Sequence, residues 1–198
     1  MAKLFIVSAP SGAGKTTLVN AVIDRLRPEY ALERVVTYTT KPQGPGEQAG
    51  IDYHYVTLQD FERKIESGFF LEWSTAYGNY YGSPAEVIER VAHGHPLIMI
   101  LDRAGARSVL QAVCQAVLIW IYPPDLSTLE QRLRARARDS EQEIERRLLL
   151  AQAEMADEEQ NPVFLYRFKN ENFEKSCAKL QRILHAELQK SSFIKSLT

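Results

Sequence analysis

Ser8-Ala9-Pro10-Ser11-Gly12-Ala13-Gly14-Lys15-Thr16-Thr17 decides how the rest of this chain is read. The four residues before it, Leu4-Phe5-Ile6-Val7, form a short apolar run and read as a buried strand. Behind it, Leu18, Val19, Val22, Ile23 and Leu26 fall at helical spacing and make one apolar stripe. A glycine-rich turn between a strand and a helix start, closing on Gly-Lys-Thr, has the anatomy of a phosphate cradle. Gly12 and Gly14 let the backbone bend and bring N–H groups near phosphate oxygens. Lys15 supplies a point charge for the terminal phosphates, and the Thr16 hydroxyl is placed to ligate Mg²⁺. The helix that starts here aims its positive end at the same anion. The first glycine of the general pattern is Ala9 in this chain.

The 198 residues suffice for one domain with a sizeable core and small inserted subdomains. Charge is balanced, 24 basic against 25 acidic residues, which gives no basic footprint for nucleic acid and no acidic tail. Cys114 and Cys177 are far apart without metal-site spacing, so they read as inert thiols in a reducing compartment. The amino-terminal apolar run is too short for a signal peptide and no stretch is long enough to span a membrane. The expectation is a soluble cytoplasmic protein; oligomeric state is not legible.

Working outward, Val35-Val36-Thr37-Tyr38 reads as a strand, followed by a Gly- and Pro-rich loop at Lys41–Glu47. Asp52–Val56 reads as a strand and Leu58–Ser67 as a helix stopped by Gly68. Short antiparallel strands fit Phe69–Gly82 around a Gly-Asn turn. Ser83-Pro84, with Glu86 three residues after the serine, reads as a helix start. Leu97–Leu101 and Ala116–Ile121 are continuous apolar runs of the kind found in central parallel strands. Asp125–Met155 reads as polar helix and carries the run Arg132-Leu133-Arg134-Ala135-Arg136-Ala137-Arg138. Val163–Tyr166 reads as a last strand, and Phe173 to Leu188 as a closing amphipathic helix. Strands alternating with helices predict an α/β fold, a parallel sheet with helices on both faces. Ligands then bind at the carboxyl ends of the strands, around Ser11–Thr17, Asp102 and the segment after Ile121.

Several blocks in this order resemble the guanylate kinase family: the phosphate loop, then Thr37-Tyr38-Thr39-Thr40-Lys41, Gly50-Ile51-Asp52-Tyr53-His54-Tyr55-Val56, Phe70-Leu71-Glu72-Trp73 and Gly78-Asn79-Tyr80-Tyr81-Gly82-Ser83. The later Asp102-Arg103-Ala104-Gly105-Ala106 and arginine blocks continue the likeness, which covers roughly residues 3–188. The resemblance implies a P-loop kinase fold with a five-stranded parallel core sheet, an inserted mixed β/α subdomain that binds a nucleoside monophosphate, and a helical lid. It sets the core at 1–33, 84–124 and 156–198, the subdomain at 34–83 and the lid at 125–155. It implies phosphoryl transfer from Mg²⁺-ATP to GMP, with no nucleic-acid or membrane partner. On this likeness Ala9, Pro10, Ser11, Gly12, Ala13, Gly14, Lys15, Thr16, Thr17 and Asn170 bind ATP, and Lys15, Arg134, Arg136 and Arg147 act on the transferring phosphate. Glu72 and Ser83 would hold the guanine edge with Asp102 and Thr37 assisting, while Lys41, Tyr53 and Tyr81 would meet the acceptor phosphate. A carboxylate suits guanine because it accepts from N1–H and the 2-amino group together.

Departures from the family pattern cluster at the acceptor end. Lys41 and Gly44 stand where the family has two arginines, so one bidentate fork becomes a point charge and one cation is lost. Ile100-Leu101-Asp102 stands for Asp-x-Asp, Ala135 and Ala137 replace lid glycines, and Asn170-Glu171-Asn172 replaces Asn-Asp-Asp. One lost charge-assisted contact is worth about 1.5–3 kcal/mol, so the expectation is ordinary ATP binding with weakened GMP binding or turnover. Two other readings stay open at this level: a catalytically impaired module that binds nucleotide or protein, and a kinase with a different acceptor.

Overall fold

The computed structural model describes residues 2–76, 78–113, 115–135 and 140–195, with side chains described through Lys190. Cys114, Arg136 and Ala137 therefore lie outside the described residues. Five strands make the core sheet: β1 (Leu4–Ser8), β2 (Glu33–Arg34), β7 (Leu97–Leu101), β8 (Val117–Tyr122) and β9 (Tyr166–Lys169). Their order is β2-β7-β1-β8-β9 and every pairing is parallel. β1 is central, with Val7 opposite both Ile100 and Ile119, which is why its residues are apolar without alternation.

The period-two alternation of strand side chains divides the core into two layers. Phe5, Val7, Ile98 and Ile119 face α1 (Lys15–Leu26) and α7 (Phe173–Lys195), which supply Leu18, Val22 and Leu26 and Leu180, Leu184 and Leu188. Leu4, Ile6, Met99 and Trp120 face the other way, onto Val87 of α3 (Glu86–Ala92) and Ala106 and Val109 of α4 (Arg103–Ala112). A third, small cluster of Leu129, Leu133, Ile144 and Ala151 joins α5 (Leu126–Ala135) to α6 (Glu141–Gln160).

The second sheet is mixed, in the order β4-β3-β6-β5, from β3 (Thr37–Thr39), β4 (Tyr53–Tyr55), β5 (Phe70–Ala76) and β6 (Asn79–Pro84). β3 and β4 run parallel, while β6 is antiparallel to both β3 and β5. Aromatic packing holds it: Phe61 of α2 (Leu58–Glu66) stacks on Phe70 with ring centroids 4.5 Å apart. Gly82 is needed here, since a Cβ would come within 2.9 Å of Phe70 and 3.0 Å of Phe61. The fold is the one expected from the sequence, a parallel five-stranded α/β core with a mixed sheet inserted.

Details differ. Ser83-Pro84 does not open a helix: both belong to β6, α3 starts at Glu86, and its N-cap Ala85 offers no side-chain bond. Ser83 is held in the strand instead, because its hydroxyl is bonded to Glu72 across the ladder. The last strand lies at Tyr166–Lys169 rather than Val163–Tyr166, since the N–H groups of Val163 and Phe164 donate to the Glu158 carboxylate. α4 has no counterpart in the sequence reading, α6 runs on to Gln160, and Val35 N donates to Ile98 O, so β2 and Val35 belong to the core edge. Cys177 is buried, and burial pushes its thiol up, in keeping with an inert role.

Candidate active site

The loop after β1 is shaped by Gly12 and Gly14, at φ +86° and +88°, where a side chain would be strained. Gly12 also packs directly under the cluster of α5 and α6: a Cβ would meet Leu133 at 2.8 Å and Leu129 at 2.9 Å. Asn170, buried at the end of β9, donates from Nδ2 to Ala13 O at 2.8 Å and so straps the loop to the core. Lys15 Nζ donates to Ala9 O at 2.6 Å, folding the lysine over the cradle. Gly14 is the N-cap of α1 and no side chain caps the helix, so its first N–H groups face the loop with Thr16 and Thr17 in the first turn. Ala9, Pro10, Ser11, Gly12, Ala13, Gly14, Lys15, Thr16, Thr17 and Asn170 thus form one structural unit.

The second cluster gathers at the edge of β5 and β6 against α4. Glu72 and Ser83 are paired in the ladder and both buried, and Ser83 Oγ donates to Glu72 Oε1 at 2.7 Å. Asp102 is the N-cap of α4: Oδ1 accepts from Gly105 N at 2.6 Å and Oδ2 accepts from Ser74 Oγ of β5 at 2.9 Å. A Cβ on Gly105 would lie 2.9 Å from Glu72 Oε2 and 3.2 Å from Asp102 Oδ1, so the helix backbone closes on both carboxylates. Burial pushes the Glu72 carboxyl up to about 7; Asp102 adds to the rise and the Ser83 bonds oppose it.

Farther along the same sheet lie Tyr53, Tyr81, Lys41 and Thr37. The Tyr53 and Tyr81 rings are 6.1 Å apart, and Lys41 Nζ sits 5.2 Å from the Tyr53 ring centre. Lys41 Nζ donates to both Glu47 oxygens at 2.6 Å. Glu47 also accepts from Gly44 N and from Tyr55 Oη, each at 2.8 Å. Burial would push Glu47 up, but the bonds from Lys41, Gly44 and Tyr55 outweigh it and hold the carboxyl at about 2. Thr37 pairs with Tyr53 at the start of β3, on the same sheet and one strand from Tyr81.

The two described arginines expected to act on phosphate each pair with carboxylates of α5 and α6. Arg134, at the end of α5, is exposed and paired to Glu130 of α5 at 2.9 Å and to Glu141 of α6. Arg147 is more enclosed, with Nε donating to Glu143 Oε1 at 3.1 Å. Arg136 is outside the described residues.

Three residues without an assigned role at the sequence level sit close to this machinery. Arg132 donates from Nη2 to Asn170 O at 2.9 Å, and its Nη1 is buried with no acceptor among the described residues. Glu154 of α6 is raised to about 7 by burial, with Lys15 and Arg103 lowering it and Asp102 raising it, so α6 carries a carboxyl into the same field. Arg103 is buried and pairs with Asp157 and with Glu158, the latter at 3.1 Å. Its Nη2 also donates to Asp157 O at 3.1 Å and Asn161 O at 2.7 Å, clasping the end of α6 to the core. Glu154 lies one turn from Glu158, hence on the same helix face. That spacing was the signal available in the sequence.

Among the described residues no helix is long and apolar enough to cross a membrane. Comparison with known proteins gives one consistent answer. The family model described as guanylate kinase matches residues 1–187. A guanylate kinase of Idiomarina loihiensis is 38% identical over 191 residues, covering 96% of this chain and 89% of that one. One of Thermosynechococcus vestitus is 41% identical over 180 residues, covering 90% of this chain and 91% of its own. The crystal structure of guanylate kinase from Anaplasma phagocytophilum superposes with a TM-score of 0.77 at 26% identity, covering 94% of this chain and 86% of that chain. A family model matching residues 1–187 and relatives at about 40% identity over nine-tenths or more of the chain, on this fold, place the chain in the guanylate kinase family.

Proposed function

We propose that the protein transfers a phosphoryl group from ATP to GMP, giving ADP and GDP. The observation that carries this reading is the buried Glu72–Ser83 pair beside Asp102, on a sheet separate from the phosphate loop. Glu72, when ionised, accepts from guanine N1–H and the 2-amino group; adenine presents no such donor pair. Ser83 and Asp102 fix the carboxylate's direction, and Thr37 closes the base site. Tyr53 and Tyr81 donate to the acceptor phosphate with Lys41 as its cation.

The cradle fits the triphosphate on its own geometry: an uncapped helix start, two left-handed glycines and a lysine folded over them. The Thr16 hydroxyl would hold the Mg²⁺ that accompanies the nucleotide, and the ion would neutralise charge on the phosphates. Lys15 orients the γ-phosphate, and Arg147 with Arg134 and Arg136 meets it from the lid. Asn170 and the unpaired Nη1 of Arg132 flank the donor nucleotide. The transfer itself needs positioning and a cleft that excludes water, not a base.

In this reading residues 34–83 form the monophosphate-binding subdomain and 125–155 the lid, which close on the core at 1–33, 84–124 and 156–198. The enzyme would work in the cytoplasm, in purine nucleotide metabolism. A coupled assay of ADP release with GMP, dGMP, AMP, UMP and CMP tests it. Release with GMP, lost by at least a hundredfold in Lys15→Ala, is the expected result. Release only with a pyrimidine nucleotide or AMP would overturn the assignment.

A further inference from the structure

The acceptor loop already contains an anion. Lys41, the cation assigned to the acceptor phosphate, is engaged by both oxygens of Glu47 at 2.6 Å. The same carboxylate accepts from Gly44 N and Tyr55 Oη at 2.8 Å, so four hydrogen bonds converge on it much as they would on a phosphate. Gly44 leaves room for it: a Cβ there would lie 3.1 Å from Glu47 Oε2 and 3.2 Å from Cδ and would press the carboxylate aside by a few tenths of an ångström. We propose that Glu47 is an internal counter-anion that sets the affinity for the acceptor phosphate by holding Lys41.

This rests on the reading of the sheet as a GMP site. A phosphate dianion reaching Lys41 either displaces the carboxylate, losing two charge-assisted bonds, or lies beside it and meets its charge. Protonation gives no relief at neutral pH, because its bonds hold Glu47 ionised. Glu47 therefore lowers affinity for the phosphate but not for the base, which is read elsewhere by Glu72.

The test is calorimetric titration of GMP and of guanosine into the full chain. Glu47→Gln keeps the shape and an acceptor for Gly44 N but removes the charge. It should tighten GMP by roughly fivefold to tenfold and leave guanosine unchanged. The proposal fails if GMP binding is unchanged or weaker, or if guanosine tightens as much. Should Glu47→Gln not fold, Tyr55→Phe decides. It frees one tie on the carboxylate, so it should tighten GMP by a smaller factor, and binding no tighter than wild type sinks the idea. A wild-type protein that binds AMP as well as GMP would instead defeat the GMP reading itself.

Discussion

Glu72 joins burial and titration to the base recognition proposed for it. Its carboxyl, raised to about 7 by burial, still holds its proton in the free folded protein between pH 5 and 6, where the unfolded chain has released it. The folded state therefore binds more protons, and the stability this contributes below about pH 4.5 is lost as pH rises through 7. Its size is up to about 3 kcal/mol. Chemical denaturation at pH 5 and pH 8 should show this loss in the wild type and a smaller one in Glu72→Gln, with Glu154 contributing in the same direction. Base recognition needs the ionised form, so guanosine affinity should fall about tenfold per pH unit below 7. A flat titration profile from pH 5 to 8 would show that Glu72 does not read the base. Guanosine is the better probe here because its own phosphate-free form does not titrate in that range. At this scale the sequence was informative where a residue's meaning lies in a linear motif, as for Lys15, Glu72 and Ser83. It placed Gly46-Glu47 in the family-like stretch but gave Glu47 no role, because its bonds to Lys41 and Tyr55 depend on how a Gly- and Pro-rich loop folds back.

Among the elements, α4 was the least visible in the sequence. Its Arg-Ala-Gly-Ala-Arg-Ser start offers small and charged residues in place of an apolar stripe, and its stability comes from the Asp102 cap and from packing on β5. β9 was misplaced by three residues for a related reason: Val163 and Phe164 look like strand residues, but Glu158 takes their N–H groups. Both errors involve the same corner, where Arg103 binds Glu158 and Asp157 from 55 and 54 residues away. Arg103→Met should leave Glu158 as a buried carboxylate without its cation and cost about 3 kcal/mol or more, measured as a drop in denaturation midpoint. Arg103→Met combined with Glu158→Leu should recover much of that loss, because the uncompensated charge is then gone. If the double variant is no more stable than the single, the clasp is not an ion-pair interaction.

For the whole molecule, the α/β architecture was legible because β1, β7 and β8 are continuous apolar runs separated by helices, and the inserted sheet was legible from its aromatic content. The relation of α5 to the loop was not, since Leu129 and Leu133 reach Gly12 across more than a hundred residues. That contact packs α5 on the loop proposed to hold ATP, so a nucleotide analogue there should stabilise the fold beyond the loop alone. At a hundredfold excess over its dissociation constant a non-hydrolysable ATP analogue should add about 2.7 kcal/mol, read as a rise in melting temperature, and Lys15→Ala should remove most of it. No rise in the wild type would contradict the donor site.

The clasp at Arg103 has a mechanical consequence. α6 is a rod of 20 residues gripped near its carboxyl end by a buried cation, with Arg147 about ten residues back along it. At about 1.5 Å per residue the lever arm is roughly 15 Å, so a tilt of about 10° at the grip sweeps Arg147 through roughly 2.6 Å. That travel is comparable to the length of a hydrogen bond. The angular play that the Arg103 ion pairs and hydrogen bonds allow therefore sets how far the distant Arg147 guanidinium travels.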